Sequence, residues 1–374
     1  ELQVAQIASL EEIFITRVAS ANIHTPLGEL AALVGEVLEG FNQAYELSGT
    51  IIPYISSFVT TDSRDQRARR KMSEFEQVGL RLRNLTMQFK AWIGSLSAVL
   101  EGLIEANPVA KAHAYNLREI ATQSRFLMSV PEEMLASELG LSGGSDWGKL
   151  QGTITSQLSG EIEVDGVVKR LPLPAIINLH SHPDEATRRR AYELELSLLD
   201  SVRETLAACM NGVKGTTITL NKKRGREDAL HSAIDGAHID RATLEAMLGA
   251  MHDSFPVFHK YFLAKAKQLG KEKLAWWDIF APMGGKETIY SFDDARSIIL
   301  DNFATFSPGL AGFARRAFDQ RWIDAEQREG KRGGAFCMGL DGPRESRVLC
   351  NFDGTLDQLG TIALELGHAV DLRG

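Results

Sequence analysis

Over roughly the first hundred residues, apolar side chains recur at three- and four-residue spacing with no strong two-residue alternation, which restricts this region to helices. Gly28, Gly49, Pro53 and the polar run 60–66 are expected to mark turns between long helices. Residues 73–104 carry Phe75, Leu82, Leu85, Phe89, Trp92, Ile93 and further apolar residues nearly all round a helix, the pattern of a segment buried between neighbours. Aromatic residues at this spacing read as core and not as a cofactor site.

A second unit follows. Ser129-Val130-Pro131-Glu132-Glu133 opens a helix with an early proline and acids in the first turn, and 140–147 is a glycine-rich break. Residues 154–158 and 161–169 alternate, and Asp165-Gly166 between alternating runs predicts a β-hairpin. His180 and His182 precede a helix expected over 184–209. Capping and surface exposure explain them better than metal binding, and Asp184 makes no Ser-His-Asp triad without a nucleophile elbow. Helices are expected over 240–268, 293–303 and 310–322, with a proline-terminated extended piece over 276–282 and a polar turn over 324–332. Small apolar residues 333–340, the turn Asp341-Gly342-Pro343 and a short strand over 348–352 then suggest a hairpin. An extended peptide can add itself to such a hairpin through main-chain hydrogen bonds.

Charge and cysteine content narrow the partners. The net charge is −8, and the basic clusters at 67–71, 188–190 and 222–226 are interleaved with acids, which reads as solvated surface; no nucleic-acid partner is expected. No apolar run approaches the roughly 18 residues of a membrane span, and Glu1-Leu2-Gln3 does not read as a signal sequence. Three cysteines make no disulfide framework, so a cytoplasmic location is expected. A hairpin in symmetric register would set Cys337 opposite Cys350, both as free thiols.

Near the end of the sequence, Thr355 and Gln358 have the spacing of a capping box at the start of a helix. Leu356, Leu359, Ala363, Leu366 and Val370 form its core-facing stripe. Leu364 falls about 130° from the centre of that stripe, beside Thr361, Glu365 and His368. A leucine there is not explained by packing within the helix. The frame Leu364-Glu365-Leu366-Gly367-His368 is that of H-E-x-x-H, in which two histidines one turn apart hold Zn²⁺ and the glutamate acts on bound water, but with Leu364 in the first histidine's place.

With Trp277-Asp278, Ala281-Pro282, Trp322-Ile323-Asp324, the run from Gly330 through Lys331, Gly334 and Ala335 to Phe336, and Asn351-Phe352-Asp353-Gly354-Thr355 in order before it, this helix resembles the M3 family of zinc metallopeptidases, oligoendopeptidase F branch. The resemblance implies a mainly α, clam-shaped, zincin-like fold with small β elements beside the metal helix. It implies an N-terminal helical region over 1–107, a hairpin-bearing module over 108–182 and a catalytic domain over 183–374. It further implies zinc as cofactor, short peptides as substrates, Glu365 as general base, His368 as a zinc ligand, and substrate contacts at Gly334, Ala335 and Phe336. Leu364 cannot coordinate, and Asp371 is too close to His368 to serve as the family's downstream acidic ligand, which is expected beyond Gly374 with the family's transition-state-stabilising residues. The activity implied is a zinc-dependent endopeptidase impaired at Leu364; the alternative is a peptide-binding relative without catalysis. The plainest reading of Glu-x-x-His is a purely structural helix with Glu365 and His368 on its surface.

Overall fold

The computed structural model describes residues 1–283 and 288–371, the side chain of Asp371 excepted. The expectation of a mainly α fold holds. Helices α1 (Leu2–Thr16), α2 (Leu27–Thr61), α3 (Gln66–Ser95) and α4 (Ala114–Gln123) enclose a core that includes Ile7, Val34, Phe41, Phe89, Ile93 and Leu117. The segment expected over 73–104 is not one helix: α3 ends at Ser95, and the chain turns through Ser97–Val99 into a short helix, Leu100–Ala106.

Gly49 and Pro53 do not end a helix, because α2 runs through both. Pro53 has no N–H to give to the carbonyl four residues back, which is that of Gly49. That oxygen instead accepts from the Asp341 N–H at 3.4 Å, while Thr50 Oγ1 accepts from Gly342 N–H at 2.8 Å. A Cβ on Gly49 would meet Asp341 Oδ2 at 1.8 Å. The two residues that looked like breakers form the notch on α2 into which the far hairpin's turn docks.

Helix α5 (Val130–Gly140) begins with the capping box Ser129–Glu132. The expected glycine-rich break is a single wide turn, Leu141–Ser145, leading directly into α6 (Asp146–Ser156). The alternation at 154–158 therefore does not make a strand. Hydroxyls there bond back onto the helix, Thr155 to the Gln151 carbonyl at 3.0 Å and Ser156 to that of Thr153 at 2.9 Å, which satisfies them in helical geometry. The next expectation is met: β1 (Ser159–Val164) and β2 (Val167–Pro172) pair antiparallel, and Asp165 and Gly166 turn the chain with φ of 53° and 76°.

The helix expected over 184–209 is two, α7 (Glu185–Ser201) and α8 (Arg203–Lys223), separated at Val202. Asp240 caps α9 (Arg241–Gln268), and α10 (Phe292–Phe306) and α11 (Pro308–Asp319) follow. The polar turn over 324–332 is entered through a short strand, β3 (Ile323–Asp324), which pairs parallel with β5 (Glu345–Leu349); β5 pairs antiparallel with β4 (Phe336–Leu340). The strand order β3-β5-β4 leaves β4 at an edge. The last helix, α12 (Leu356–Asp371), closes a second core with Ile299, Phe318 and Trp322. No helix among the described residues is long and apolar enough to cross a membrane.

Residues 276–278 form one 3₁₀ turn and not an extended piece. Asp278, fully buried, accepts from Arg188 at 2.7 Å and also from Lys271, and Arg188 donates to the His182 and Pro183 carbonyls. Burial alone would raise the Asp278 carboxyl, but Lys271 and Arg188 outweigh it and hold the group below the usual carboxylate range. Removing one partner from a buried pair strands the other, so Asp278→Ala should lose about 3–5 kcal/mol in urea unfolding at pH 7. Because the folded state holds this carboxyl below its unfolded value near 3.9, its stabilising share is complete above that pH and disappears as pH falls through the folded value. Asp278→Asn should remove that part of the acid dependence, measured as the slope of unfolding free energy between about pH 5 and 2.

Candidate active site

The start of α12 is fixed by a side-chain relay. Thr355 Oγ1 accepts from the Gln358 N–H at 3.2 Å, but Gln358 does not reciprocate; Asp353 accepts from the Thr355 N–H at 3.0 Å and its hydroxyl at 2.7 Å instead. Half of the expected capping box is thus present, with an aspartate two residues earlier doing the other half.

The buried face of α12 is Leu359, Ile362, Leu366 and Ala369. Leu356, expected on that stripe, is 63% exposed, because it lies about 100° round the helix from the centre of that face. Leu364 is 58% exposed, which agrees with its place off the core face. His368 is also exposed. Glu365 departs from a surface reading: only 8% exposed, it turns in toward β4.

Burial pushes the Glu365 carboxyl above the ordinary range; nearby His368 and the backbone amide of Cys337 oppose this without cancelling it. The same proximity acts on the thiols. Cys337 is raised by burial and then by Glu365, and Cys350 is pushed up to about 11, chiefly by burial. All three cysteines are free. Cys337 does not face Cys350: the hairpin closes over residues 341–344, so Leu340 pairs with Glu345 and Cys337 with Val348, leaving Cys350 past the last pair of the ladder. Pairing Cys337 with Cys350 would need a six-residue loop, 341–346, two residues longer than the one that forms.

The strap leading into β4 is held from both sides. The Asn351 side-chain amide donates to the carbonyls of Arg332 at 3.0 Å and Gly334 at 2.9 Å. Lys331, with no exposure at all, donates to Asp324 Oδ1 at 2.6 Å and to the carbonyls of Cys350 at 2.6 Å, Glu326 at 2.7 Å and Asp324 at 3.1 Å. Gly334 has φ of 76°, a left-handed conformation that favours glycine, and it turns the strap into the strand. Phe336 and Met338 point away from Glu365 and, with Ser57, Phe58 and Arg347, line a cavity of about 400 Å³. Gly334, Ala335 and Phe336 therefore lie along the entrance to an edge strand whose second residue, Cys337, presents its amide to Glu365. In the sequence Lys331 and Asn351 stand out only as parts of short motifs, and a lysine amid glycines is the one hint that its charge is satisfied internally.

Two histidines noted in sequence stay apart from this group. His180 stands 3.1 Å from Glu195, and His182 Nδ1 accepts from the Asp184 N–H at 3.1 Å. Their side chains are only 15% and 17% exposed, so the expected surface exposure is not found; the helix-entry turn sets His180 against α7 and His182 beside Asp165 in the β1–β2 turn. Asp184 caps α7 through Thr187, as expected of a helix-entry aspartate.

The donor set on α12 does not fit zinc by itself. Leu364 has no donor atom, and no group of three His, Cys, Asp or Glu side chains able to hold a metal converges among the described residues.

Solved structures share the fold. Oligoendopeptidase-F from Enterococcus faecium superposes with a TM-score of 0.66 at 16% identity, over 85% of this chain and 60% of that one. A PZ peptidase A with inhibitor 2 superposes at 0.72 and 15% identity, over 98% and 62%. In sequence, the Group B oligopeptidase PepB of Streptococcus agalactiae is 26% identical over 198 residues, 52% of this chain and 32% of that protein. The oligopeptidase PepF of Bacillus subtilis is 20% identical over 265 residues, 70% of this chain and 39% of that protein. The chain thus spans about a third of the length of the curated relatives it matches. Residues 178–372, just over half of the chain and including α12, match the profile of Peptidase family M3, and the chain belongs to that family.

Proposed function

We propose that this chain carries the peptide-binding edge and the general-base helix of a zinc-dependent metalloendopeptidase that hydrolyses short oligopeptides, with hydrolysis impaired because Leu364 stands in a zinc ligand's place. The observation that carries this reading is Glu365, buried on α12 within the H-E-x-x-H frame and facing the amide of an edge strand. An extended peptide lying along Gly334, Ala335 and Phe336 would add to β4 by main-chain hydrogen bonds and bring a scissile bond to the Glu365 side of the strand. A carboxyl raised by burial holds a proton more firmly than an ordinary glutamate, which suits it to take one from water and pass it to a leaving amine. Names of relatives such as oligopeptidase and oligoendopeptidase support short peptides as the substrate class. Free thiols fit a reducing cytoplasm, and a net charge of −8 fits peptide and not nucleic-acid partners.

One observation favours the second reading, a peptide-binding relative without catalysis. Leu364 is exposed and chemically inert, and the described residues do not complete a metal site.

The two readings part on one experiment. In protein that extends through the acidic ligand expected beyond Gly374, elemental analysis after zinc dialysis should find well under one zinc with Leu364 unaltered and close to one in Leu364→His. Leu364→His should then cleave a quenched unstructured peptide, and adding Glu365→Gln should lower that rate by about 10²–10⁴-fold, the usual share of a general base. Cleavage by the unaltered protein as fast as by Leu364→His would show that position 364 impairs nothing. Peptide binding without cleavage in Leu364→His would establish the non-catalytic reading.

A further inference from the structure

Between α2, α3 and α6 lies a cavity of about 570 Å³ that includes none of Glu365, His368 or Gly334–Phe336 in its lining. Its charged lining is Arg69, Lys149 and Arg332 against Glu76 and Asp146. Lys149 donates to both acids, at 2.6 Å to Glu76 and 3.1 Å to Asp146, so the two carboxylates are already engaged. Neither guanidinium is: among the described residues, the side chains of Arg69 and Arg332 make no hydrogen bond or ion pair.

Arg332 is nonetheless held in place. Its N–H donates to the Thr60 carbonyl at 2.9 Å, and its own carbonyl accepts from Asn351. Its guanidinium lies against the backbone of α6 at Gly152, where an added Cβ would come within 2.7 Å of a terminal nitrogen. A partly buried guanidinium, fixed by packing with its donors unspent, is costly without a counter-charge and ready for one. Val59, Met72 and Leu150 give the cavity an apolar wall, and Ser56 and Ser73 also line it.

We propose that this cavity is a binding site for a small oxyanion, a carboxylate or a phosphate, gripped by Arg332 and Arg69. Planar guanidinium groups recognise both chemistries through paired N–H donors. The inference does not rest on the peptidase reading, since it needs neither Glu365 nor zinc.

Calorimetric titration of the whole chain with inorganic phosphate, and separately with acetate, at constant ionic strength in chloride, tests it. At least one anion should bind saturably, one per chain, and which one does so identifies the chemistry. Arg332→Gln should weaken that binding about tenfold or more, the loss of charge-assisted hydrogen bonds. Arg69→Gln should weaken it several-fold by the same loss, while Arg70→Gln, paired with Glu74 outside the cavity, should leave it unchanged. Gly152→Ala keeps every charge but displaces the Arg332 guanidinium, so it should also weaken binding; this separates a built site from general attraction to cations. Should Arg332→Gln not fold, judged by its unfolding midpoint, the Arg69 and Gly152 variants carry the comparison. Saturable binding of neither anion, or binding equally tight in the folded cavity variants and the unaltered chain, would overturn the proposal.

Discussion

The buried ammonium of Lys331 is the interaction on which the region around α12 depends. It reaches four oxygens, three of them backbone carbonyls from the end of β3, the following turn and the end of β5, and the fourth the Asp324 carboxylate. Three N–H donors serve four acceptors, so one donor is shared. Desolvation lowers the Lys331 pKa, and the Asp324 hydrogen bond opposes that. Asp324 in turn would be raised by burial but is held low by Arg328 and Lys331. Only an internal counter-charge makes this arrangement tolerable, because an unpaired buried ammonium costs several kcal/mol. With Lys331 in place, the strap, β3 and β5 share one anchor. Cys350, whose carbonyl belongs to it, lies a few residues before the Thr355 cap of α12.

Local chemistry was legible in the sequence. Asp165-Gly166 specified its own turn through positive φ, Asp240 and Asp184 specified their caps, and the angular position of Leu364 placed it off the core. What failed depended on partners distant in sequence. Gly49 and Pro53 carry breaker propensities, but the carbonyl freed by Pro53 found its donor in Asp341, nearly three hundred residues away. The pairing of Arg188 with Asp278 likewise joins a helix to a turn ninety residues on. Spacing alone could not reveal either, since the stabilising contact is absent from the local segment. The cysteine register failed for a smaller reason: residues 341–344 form a four-residue loop where the expected pairing needs six, and that difference moves the partner of Cys337 from Cys350 to Val348.

The core stripe of α12 was placed almost correctly, and its small error is informative. Taking Leu356 and Val370 as its ends missed Ile362 and Ala369, which are fully buried. With those included, the packing face is 359, 362, 366 and 369, while 364 and 368 lie outside it and 365 sits at its margin. Packing and the chemistry proposed here thus occupy separate positions of one helix.

That separation explains how position 364 can hold a leucine in a well-formed helix. An exposed Leu364 leaves no cavity in the core and no buried polar group unpaired, the two usual sources of large destabilisation. The fold therefore exerts little constraint on residue 364, whereas Ile362 or Leu366, buried without exposure, could not change as freely. Glu365 stands between these cases, because its buried carboxyl is raised by desolvation and is less stable ionised here than in water. Packing and capping do not require a glutamate at 365, and the chemistry proposed at the edge strand, unlike stability, would account for a carboxyl placed where its charge is costly.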